Sequence, residues 1–338
     1  MINVAINGFG RIGRRVFRLI QDRDDIQVVA INDLANAKTL SHLLKYDSIH
    51  GVLSKIVTYN NHGIVINDLT IPLLNENHPK TIDWSPFKVD YVIESTGKFK
   101  TTSNLKHHIK NGAKQVILSV PPIEDNIKTV VLGINDIEVK GDEKIISNAS
   151  CTTNNAAPMI AVINDLCGVK QAYITTVHSY TTDQSLHDQP HKDLRRARAA
   201  GQSIVPTTTG AAKALTKIFP KLSNVIGGCG IRVPVANGSL TDITFNVEKT
   251  VSIDQINAAF KTASQNHLKG ILEYTEDPIV SIDIVGNMHS CIFDSQMTSV
   301  IGNMVKIVGW YDNETGYASR ILDLICNLSM KSLRLSNK

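Results

Sequence analysis

The segment SNASCTTNN, residues 147–155, places Cys151 among small hydroxyl and amide side chains, directly after the apolar run KII. The residues that follow have a helical pattern, so we expect Cys151 at a helix N-terminus, where the helix dipole and backbone NH groups favour a thiolate. Pro158 supports this placement, because proline is tolerated near the start of a helix. The pattern predicts a nucleophilic cysteine with a lowered thiol pKa.

The remaining cysteines lie in apolar or glycine-rich runs, which is typical of buried and unreactive thiols. They are Cys167, Cys229, Cys291 and Cys326. An odd number of widely spaced cysteines without a CxxC pair argues against a disulfide framework and against a zinc site. We therefore predict no metal site, and at most one or two of the five thiols are expected to take part in chemistry.

A nucleophilic cysteine needs a base that can shuttle its proton, and histidine is the usual choice. His178 ends the apolar run AYITTV and is flanked by polar residues, so we expect it at the tip of a strand, facing a cleft. Five other histidines lie in stretches that read as solvated: His42, His50, His62, His107 and His108. The residues alone make His178 a candidate among eleven histidines and leave the choice open.

The segment NGFGRIG sets Gly8, Gly10 and Gly13 in the G-x-G-x-x-G spacing, between a strand-like run and a helix-like run. In this context the glycines permit a tight turn, the approach of a pyrophosphate and close helix–strand packing. The next apolar run ends in Asp33, where a carboxylate is expected to hold adenosine ribose hydroxyls. The alternative is that the glycines only shape a turn and Asp33 caps a helix. That alternative does not explain the spacing, so a dinucleotide site is predicted.

The elements that must position these residues change character near Cys151. Before it, short apolar runs alternate with helical patterns, which predicts a mostly parallel sheet with crossover helices. After it, longer runs such as SLTDITFNVEK and NMVKIVGWY predict a mainly antiparallel sheet. The predicted fold class is α/β: a Rossmann-type doubly wound domain (1–150 and 315–338) and an α+β catalytic domain (151–314).

Length and composition agree with two domains, because 338 residues with 42% hydrophobic content can bury a large core. The charge is balanced, with 35 basic and 31 acidic side chains, and does not call for a nucleic-acid or membrane partner. No signal-like segment and no apolar run near the roughly 20 residues of a membrane span is seen. We expect a cytoplasmic protein without a dedicated nucleic-acid site.

The chain closely resembles the phosphorylating glyceraldehyde-3-phosphate dehydrogenases over essentially its full length. The matching segments are INGFGRIGR, IND, ESTGKF, SNASCTTN, TTVHSYT, HKDLRRARAA, PTTTGAAKA, RVP and WYDNETGY. SNASCTTN is highly specific to this family and its closest relatives. The resemblance implies NAD as the cofactor, glyceraldehyde 3-phosphate and inorganic phosphate as small-molecule partners, and a homotetramer.

The resemblance also implies a mechanism, with Cys151 as the nucleophile and His178 as its base. The thiolate attacks the aldehyde to give a thiohemiacetal, and His178 takes the hydroxyl proton as hydride leaves for the nicotinamide. Inorganic phosphate then attacks the thioester and releases 1,3-bisphosphoglycerate.

Further site residues are implied by the same resemblance. Substrate and phosphate contacts are implied for Ser150, Thr152, Thr181, Arg196, Thr209, Gly210 and Arg232. Cofactor contacts are implied for Gly8, Gly10, Arg11, Ile12, Gly13, Asp33, Ser119 and Asn313, whose amide would hold the nicotinamide carboxamide. Without the family, LRRARAA reads as a solvated basic face or a subunit contact, and not all of its arginines can reach one phosphate.

Three alternatives stay open at this point. Erythrose-4-phosphate dehydrogenases resemble the chain at the nucleophile and the glycine loop but typically lose the TGAAKA pattern. A non-catalytic dinucleotide- or RNA-binding protein would keep the fold, but it need not keep both Cys151 and His178. Semialdehyde dehydrogenases share the acyl-phosphate chemistry but not TTVHSYT and WYDNETGY. One departure from many relatives is Asn155, where they have a second cysteine.

Overall fold

The computed structural model describes residues 1–336, with side chains through Arg334. The chain divides into two compact units. The first is formed by Met1–Val130, Ile137–Ala149 and the described part of Ala318–Lys338, and the second by Val131–Asp136 and Ser150–Tyr317.

The first unit contains three helices before the chain leaves it, α1 (Arg11–Ile20), α2 (Ala37–Lys45) and α3 (Thr102–Lys110). Its strands are β1 (Ile2–Asn7), β2 (Ile26–Asn32), β3 (Tyr46–Asp47), β4 (Gly51–Val52), β5 (Val57–Asn60), β6 (Gly63–Ile66), β7 (Leu69–Leu74), β8 (Tyr91–Glu94), β9 (Gln115–Leu118), β10 (Lys128–Thr129) and β11 (Ile145–Ser147).

The large sheet of the first unit has the strand order β10-β11-β9-β8-β1-β2-β7-β6-β5. Strands β10 through β7 in this order are parallel, and only the β7-β6-β5 end is antiparallel. β1 lies inside the sheet, with Ile6 opposite Ile31 on one side and Ile93 on the other. The predicted doubly wound parallel sheet is confirmed. Its carboxyl edge, where β1 and β2 end, is the place where such sheets bind ligands.

The apolar runs of this sheet are buried on both faces, as expected for parallel strands covered by helices. One core cluster joins Trp84, Leu105 and Val116, each wholly buried, between the sheet and α3. Burying such a side chain contributes roughly 1.5–3 kcal/mol to stability. This packing holds the carboxyl ends of the strands in fixed positions.

The second unit begins with α4 (Cys151–Cys167) and also contains α5 (Ala211–Ile218) and α6 (Ile253–Gln265). Its strands are β12 (Val169–Ser179), β13 (Val205–Thr207), β14 (Ile226–Val233), β15 (Ser239–Val247), β16 (Leu272–Thr275), β17 (Cys291–Ile301) and β18 (Met304–Tyr311). The last helix, α7 (Thr315–Ser336), starts in this unit and continues in the first from Ala318 onward. Short 3-10 helices occur at Ser85–Phe87, Asp136–Glu138, Ala200–Gln202 and Pro220–Leu222.

The sheet of the second unit has the order β13-β14-β12-β15-β18-β17-β16 and is mainly antiparallel. Only the pairs β12–β14 and β16–β17 are parallel. Buried residues alternate along β15, so one face of this sheet packs inward. The predicted antiparallel sheet is therefore confirmed, and with it the α/β class.

The predicted placement of Pro158 near a helix start is wrong, because α4 begins at Cys151 and Pro158 is its eighth residue. Proline at this position cannot donate a hydrogen bond to the carbonyl of Asn154 four residues earlier. The helix forms regardless because its apolar residues are buried against the sheet.

Within residues 1–336, none of the helices combines the length and hydropathy needed to cross a bilayer.

Candidate active site

Cys151 is the first residue of α4, as the sequence predicts, because Ser150 caps the helix. Ser150 has an extended backbone, and its Oγ accepts a hydrogen bond from the backbone NH of Thr153 at 3.1 Å. The preceding residue, Ala149, has φ of 56°, a left-handed conformation that costs an alanine roughly 1–2 kcal/mol. Strain of this kind persists where the surrounding structure enforces a tight turn, and it is frequent at functional sites.

The thiol of Cys151 faces the imidazole of His178, with Sγ 3.4 Å from Nε2. His178 is the last residue but one of β12 and is 5% exposed. Its Nδ1 lies 2.7 Å from the carbonyl oxygen of Ser179, which only accepts, and also contacts Arg232 Nη1, which only donates, so these contacts assign no ring proton. Nε2 is the ring nitrogen that faces the thiol.

Arg232 lies beside this pair because the parallel register of β12 and β14 places it opposite His178. Its Nη1 contacts His178 Nδ1 and donates to the carbonyl oxygen of Ser179 at 3.1 Å. A fixed positive charge at this position opposes protonation of the imidazole. An expected substrate-phosphate ligand therefore also contacts the expected base.

The environment of the pair favours its neutral form. Burial raises the pKa of the Cys151 thiol more than the charge of Arg232 and the hydrogen bonds of the first helical turn lower it. Burial, with the charge of Arg232, lowers the pKa of His178 to about 3. The prediction of a lowered thiol pKa is thus wrong for this arrangement. The reason is packing around the thiol, because the polar side chains of residues 152–155 are themselves buried and Cys151 is only partly exposed.

A buried tyrosine, Tyr311, supports the pair and was missed by sequence reasoning. Its hydroxyl lies 2.9 Å from Thr152 Oγ1 and 2.9 Å from Thr176 Oγ1, and its ring packs edge-on against His178 at 5.9 Å between centroids. The Thr152 hydroxyl is therefore engaged with Tyr311, and the Ser150 hydroxyl is engaged with Thr153 at 2.7 Å. Both hydroxyls thus have a hydrogen-bond partner within the protein.

Two of the expected phosphate ligands share one carboxylate, Asp183, which sequence reasoning also missed. Thr181 donates its hydroxyl hydrogen to Asp183, and Arg196 forms an ion pair with the same side chain. Arg196 also donates to Thr207 Oγ1, at 3.0 Å from Nε and 2.8 Å from Nη2. The Asp183 carboxylate thus binds the two side chains, Thr181 and Arg196, that are expected to bind phosphate.

The structure separates the three arginines of LRRARAA. Arg196 is half-buried and turned toward Asp183, whereas Arg195 and Arg198 are exposed. Arg198 forms a surface ion pair with Asp188 at 2.9 Å. The solvated alternative therefore fits Arg195 and Arg198, and Arg196 is the arginine of the three that the protein itself holds, through Asp183 and Thr207.

Thr209 and Gly210 lie at the start of α5, where the sequence places them. Gly210 is the N-cap residue, and Thr209 Oγ1 accepts a hydrogen bond from the NH of Ala211 at 3.2 Å. A helix start of this kind offers backbone NH groups and the positive end of the helix dipole to an anion.

The glycine motif borders a cavity of about 220 Å³ in the first unit. Gly8 has φ of 92°, and a Cβ on it would lie 2.7 Å from the backbone nitrogen of Thr96. A Cβ on Gly13 would lie 2.3 Å from the carbonyl oxygen of Gly8, whereas a Cβ on Gly10 would meet nothing within 4 Å. Gly8 and Gly13 thus permit the turn and the helix packing, and Gly10 leaves open space for a ligand. These are the features that a dinucleotide pyrophosphate requires.

Asp33 lies beside the same cavity, at the end of β2. Its Oδ2 accepts from the NH of Phe9 at 2.7 Å and its Oδ1 from the NH of Ala35 at 3.0 Å, which holds the carboxylate toward the cavity. Each oxygen keeps a lone pair for a ribose hydroxyl. The two acceptor oxygens of Asp33 therefore fit the hydroxyls of the adenosine ribose of NAD.

The two expected contacts of the first helical turn are Arg11 and Ile12. The guanidinium of Arg11 binds Asp47 through two hydrogen bonds, at 2.6 and 3.2 Å, so a cofactor contact would come from its backbone. The first turn of α1 contains no acidic residue. Its dipole therefore remains available to the pyrophosphate.

Ser119 and Asn313 complete the expected cofactor contacts. Ser119 follows β9, and its Oγ donates to the carbonyl oxygen of Glu94 at 3.0 Å. Asn313 lies in the second unit, where its Oδ1 accepts from the hydroxyls of Ser179 and Ser239, both at 2.9 Å. These contacts fix both side chains.

The prediction that His108 is solvated is wrong, because His108 is wholly buried. Its Nδ1 accepts from Trp84 Nε1 at 3.0 Å, so its Nε2 carries the proton and donates to Glu94 Oε2 at 3.1 Å. Glu94 also accepts from the backbone NH and hydroxyl of Thr96 and from Asn7. The histidine therefore anchors the ESTGKF loop rather than facing solvent.

The four other cysteines differ in burial. Cys167 and Cys291 are buried, as predicted, and burial raises the pKa of both thiols. Cys229 and Cys326 are only partly buried, so the expectation of burial fails for these two. In the described part of the chain, no three His, Cys, Asp or Glu side chains cluster as metal ligands would.

Comparison with known proteins gives the family. Two family models match: "Glyceraldehyde 3-phosphate dehydrogenase, NAD binding domain" over residues 2–102 and "Glyceraldehyde 3-phosphate dehydrogenase, C-terminal domain" over residues 150–313.

Three curated relatives cover nearly the whole chain. The chain is 48% identical to "Glyceraldehyde-3-phosphate dehydrogenase 1" of Bacillus cereus over 335 residues, which is 98% of this chain and 100% of the relative. It is 48% identical to "Glyceraldehyde-3-phosphate dehydrogenase" of Geobacillus stearothermophilus (98% and 99% covered) and 50% identical to the protein of that name from Borreliella burgdorferi (96% and 98% covered). With matches of this extent joined to a cysteine–histidine pair and a dinucleotide cavity, the chain belongs to the glyceraldehyde 3-phosphate dehydrogenase family of NAD-dependent oxidoreductases.

Proposed function

We propose that this chain catalyses the NAD-dependent oxidative phosphorylation of glyceraldehyde 3-phosphate to 1,3-bisphosphoglycerate. The observation that carries the proposal is the 3.4 Å contact between Cys151 Sγ, at the start of α4, and His178 Nε2. A thiol, a base and a helix N-terminus are the groups that covalent aldehyde oxidation requires.

The first step forms a carbon–sulfur bond. His178 Nε2 takes the thiol proton as Cys151 Sγ attacks the aldehyde carbon, and this proton is returned to the carbonyl oxygen to give the thiohemiacetal. Because the resting pair is neutral, proton transfer accompanies the attack rather than preceding it. The backbone NH groups of the first turn of α4 can stabilise negative charge on the oxygen.

The second step oxidises the bound carbon to a thioester. His178, neutral again, takes the hydroxyl proton as the carbon loses hydride. NAD, when bound, supplies the hydride acceptor. An oxygen of inorganic phosphate then attacks the thioester carbon, and the carbon–sulfur bond breaks with release of the acyl phosphate. The departing Cys151 thiolate takes the proton back from His178, which restores the neutral pair.

The anion contacts are proposed in two sets. Thr181 and Arg232 would bind the substrate phosphate, and Thr209, Gly210 and Arg196 the attacking phosphate, with Ser150 and Thr152 beside the nucleophile. In this scheme Asp183 must exchange its contacts with Thr181 and Arg196 for solvent when a phosphate binds. Two phosphates are electrostatically favourable beside the cationic side chains of Arg232 and Arg196 and the helix start at Gly210.

The cofactor contacts and the assembly are proposed likewise. Residues 1–150 with 315–338 would form the NAD-binding domain and residues 151–314 the catalytic domain, with cofactor contacts from the glycine motif, Arg11, Ile12, Asp33, Ser119 and Asn313. We also propose a cytoplasmic homotetramer.

Substrate choice gives a direct test. The purified protein is expected to use glyceraldehyde 3-phosphate far more efficiently than erythrose 4-phosphate, with rates that depend strongly on inorganic phosphate. Discrimination by one carbon unit is inherently modest. The readout is therefore the ratio of kcat/KM values from NADH absorbance, measured with and without phosphate. Equal use of erythrose 4-phosphate, or indifference to phosphate, would reassign the chain to the erythrose-4-phosphate dehydrogenases.

Two threonine variants refine this test. Thr209→Ala removes a proposed phosphate ligand and should raise the KM for inorganic phosphate by about three- to tenfold, as for a lost hydrogen bond. Thr216→Ala is a matched control, because Thr216 lies within α5, the helix that Thr209 precedes, and its hydroxyl donates locally to the carbonyl of Lys213.

Cofactor choice gives a second prediction, which depends on Asp33. NAD is expected to be preferred over NADP, since the carboxylate would repel a 2'-phosphate at a cost of about 1–3 kcal/mol, or about five- to 150-fold in kcat/KM. Asp33→Asn should remove most of this preference. Glu76→Gln is the control and should keep the preference for NAD, because Glu76 borders the same cavity but follows a different strand. Similar efficiency of both cofactors in the unchanged protein would contradict the prediction.

A further inference from the structure

The amide of Asn313 is held by two buried serines. Asn313 follows β18 and is 7% exposed. Ser179 ends β12 and Ser239 begins β15, and both are almost fully buried. Their hydroxyls lie 2.9 Å from Asn313 Oδ1.

The hydrogen bonds determine which end of the amide is outermost. Ser239 Oγ accepts the backbone NH of Ser179 at 3.1 Å, and the single hydrogen of its hydroxyl is directed to Asn313 Oδ1. The hydroxyl of Ser179 donates to the same oxygen. Both lone pairs of Oδ1 are then used, and within residues 1–336 no group accepts from Asn313 Nδ2.

Reversal of the amide is disfavoured. An asparagine amide turned by 180° occupies nearly the same volume, so only hydrogen bonds distinguish the two states. In the turned state the hydroxyl hydrogens of Ser179 and Ser239 lose the acceptor they share, and a buried donor without an acceptor is unfavourable. The two serines therefore make Asn313 a hydrogen-bond donor to any ligand.

We propose that Ser179 and Ser239 are positioning residues that lock Asn313 with its NH2 group toward the nicotinamide, so that the protein reads the carboxamide oxygen of the cofactor and not its NH2 group. This inference rests on the proposed role of Asn313 in holding the carboxamide. Rotation of the nicotinamide about its glycosidic bond moves the carboxamide to the opposite side and exposes the opposite ring face. A donor-only contact to the carboxamide oxygen therefore also selects the face that receives hydride.

A cofactor analogue separates the two ends of the carboxamide. In 3-acetylpyridine adenine dinucleotide a methyl group replaces the NH2 group and the carbonyl oxygen is kept. The unchanged protein should bind it with the full Asn313 contact. In the Ser179→Ala/Ser239→Ala double variant, Asn313 can turn and accept from an NH2 group that only NAD has. The dissociation-constant ratio of analogue to NAD, measured by calorimetry, should rise by about three- to tenfold, the effect of one neutral hydrogen bond.

Hydride stereochemistry provides a readout that loss of stability alone would not change. With a substrate deuterated at the aldehyde carbon, the unchanged protein should place deuterium on one face of the nicotinamide, as seen by proton NMR of the reduced cofactor. The double variant should place a measurable fraction on the other face.

Two further variants keep the proposal testable if the double variant folds poorly. Asn313→Asp retains both serine contacts and presents a second carboxylate oxygen to the cofactor, so the analogue should bind at least about tenfold more weakly relative to NAD. Ser290→Ala is the control, because Ser290 is buried in the same unit and its Oγ has no hydrogen-bond partner among the described residues. It should leave the analogue ratio and the stereochemistry unchanged.

The possible failures are distinguishable. If a folded double variant keeps the original analogue ratio and a single deuterated face, the positioning role of Ser179 and Ser239 is overturned. If Asn313→Ala leaves the NAD dissociation constant and the analogue ratio unchanged, the proposed Asn313 contact fails. Neither result bears on the thiol chemistry of Cys151.

Discussion

Replacement of Cys151 by serine is expected to lower kcat for glyceraldehyde 3-phosphate oxidation by at least about 10⁴-fold, as for loss of the nucleophile in covalent catalysis. The serine hydroxyl is a much poorer nucleophile than sulfur, and it would have to lose its proton to His178, whose Nε2 lies 3.4 Å from the sulfur that it replaces. The fall should appear in kcat measured by NADH absorbance, while the NAD dissociation constant stays within about twofold because Asp33 and the glycine motif are unchanged.

Selective alkylation gives an independent measurement of the same role. Although its thiol pKa is raised, iodoacetamide should modify Cys151 before the other four cysteines and stop turnover, because His178 Nε2 can take the thiol proton as the sulfur reacts. The modified residue would be identified by mass spectrometry. Cys229→Ser is the matched control, because Cys229 is also partly buried on a strand of the same unit. Preferential modification of Cys229 with activity retained would contradict the assignment of Cys151 as the nucleophile.

The fold could be predicted from the sequence because its signals are local. The glycine motif between a strand and a helix, and the alternation of apolar runs with helical patterns, correspond to β1, α1 and the parallel sheet. The long alternating runs correspond to β15 and β18, which pair antiparallel. The spacing of apolar residues reflects which face of each element is buried, and this spacing can be read from the sequence alone.

The environment of the site was less predictable, because burial depends on residues that are distant in the chain. The polar run SNASCTTNN suggested a helix start that lowers the thiol pKa, yet Thr153 and Asn155 are wholly buried. The raised thiol pKa of Cys151 follows from that packing. His108 was assigned to solvent for the same reason, since its partners Trp84 and Glu94 come from two other segments.

The polar partners of the site were also beyond sequence reasoning. Asp183 pairs with Arg196 across thirteen residues of irregular chain, and no periodic pattern indicates such a contact. Tyr311 meets Thr152 and Thr176 only because α4, β12 and β18 pack together. Contacts between elements are decided by tertiary packing, which local propensity does not specify.

Replacement of His178 by asparagine is expected to lower kcat by about 10²- to 10⁴-fold, the range for a lost general base. Asparagine can keep a hydrogen bond to the carbonyl of Ser179, but it cannot accept a proton at the position of Nε2, 3.4 Å from Cys151 Sγ. The loss should exceed the loss in thiol alkylation, because turnover needs the base twice, once for the thiol and once for the thiohemiacetal hydroxyl.

The pH dependence distinguishes this role from a purely structural one. Since the pKa of His178 is lowered to about 3, its imidazole is neutral and able to accept a proton throughout pH 5–9. The raised pKa of Cys151 means that alkylation of the free enzyme should accelerate as pH rises across this range, in both the unchanged protein and His178→Asn. The alkylation rates should converge at high pH, where hydroxide removes the thiol proton, while the kcat values stay apart.

A control variant excludes a general effect of losing a histidine. His289→Asn changes a partly exposed histidine of the same unit that pairs with Glu273 at 3.0 Å, and it should leave kcat within about twofold of the unchanged protein. If His178→Asn reduced kcat by less than about tenfold, the imidazole would not be the base. Such a result would leave the thiohemiacetal proton to water or to a group of the bound substrate, and the neutral pair seen here would then serve only to hold the thiol in place.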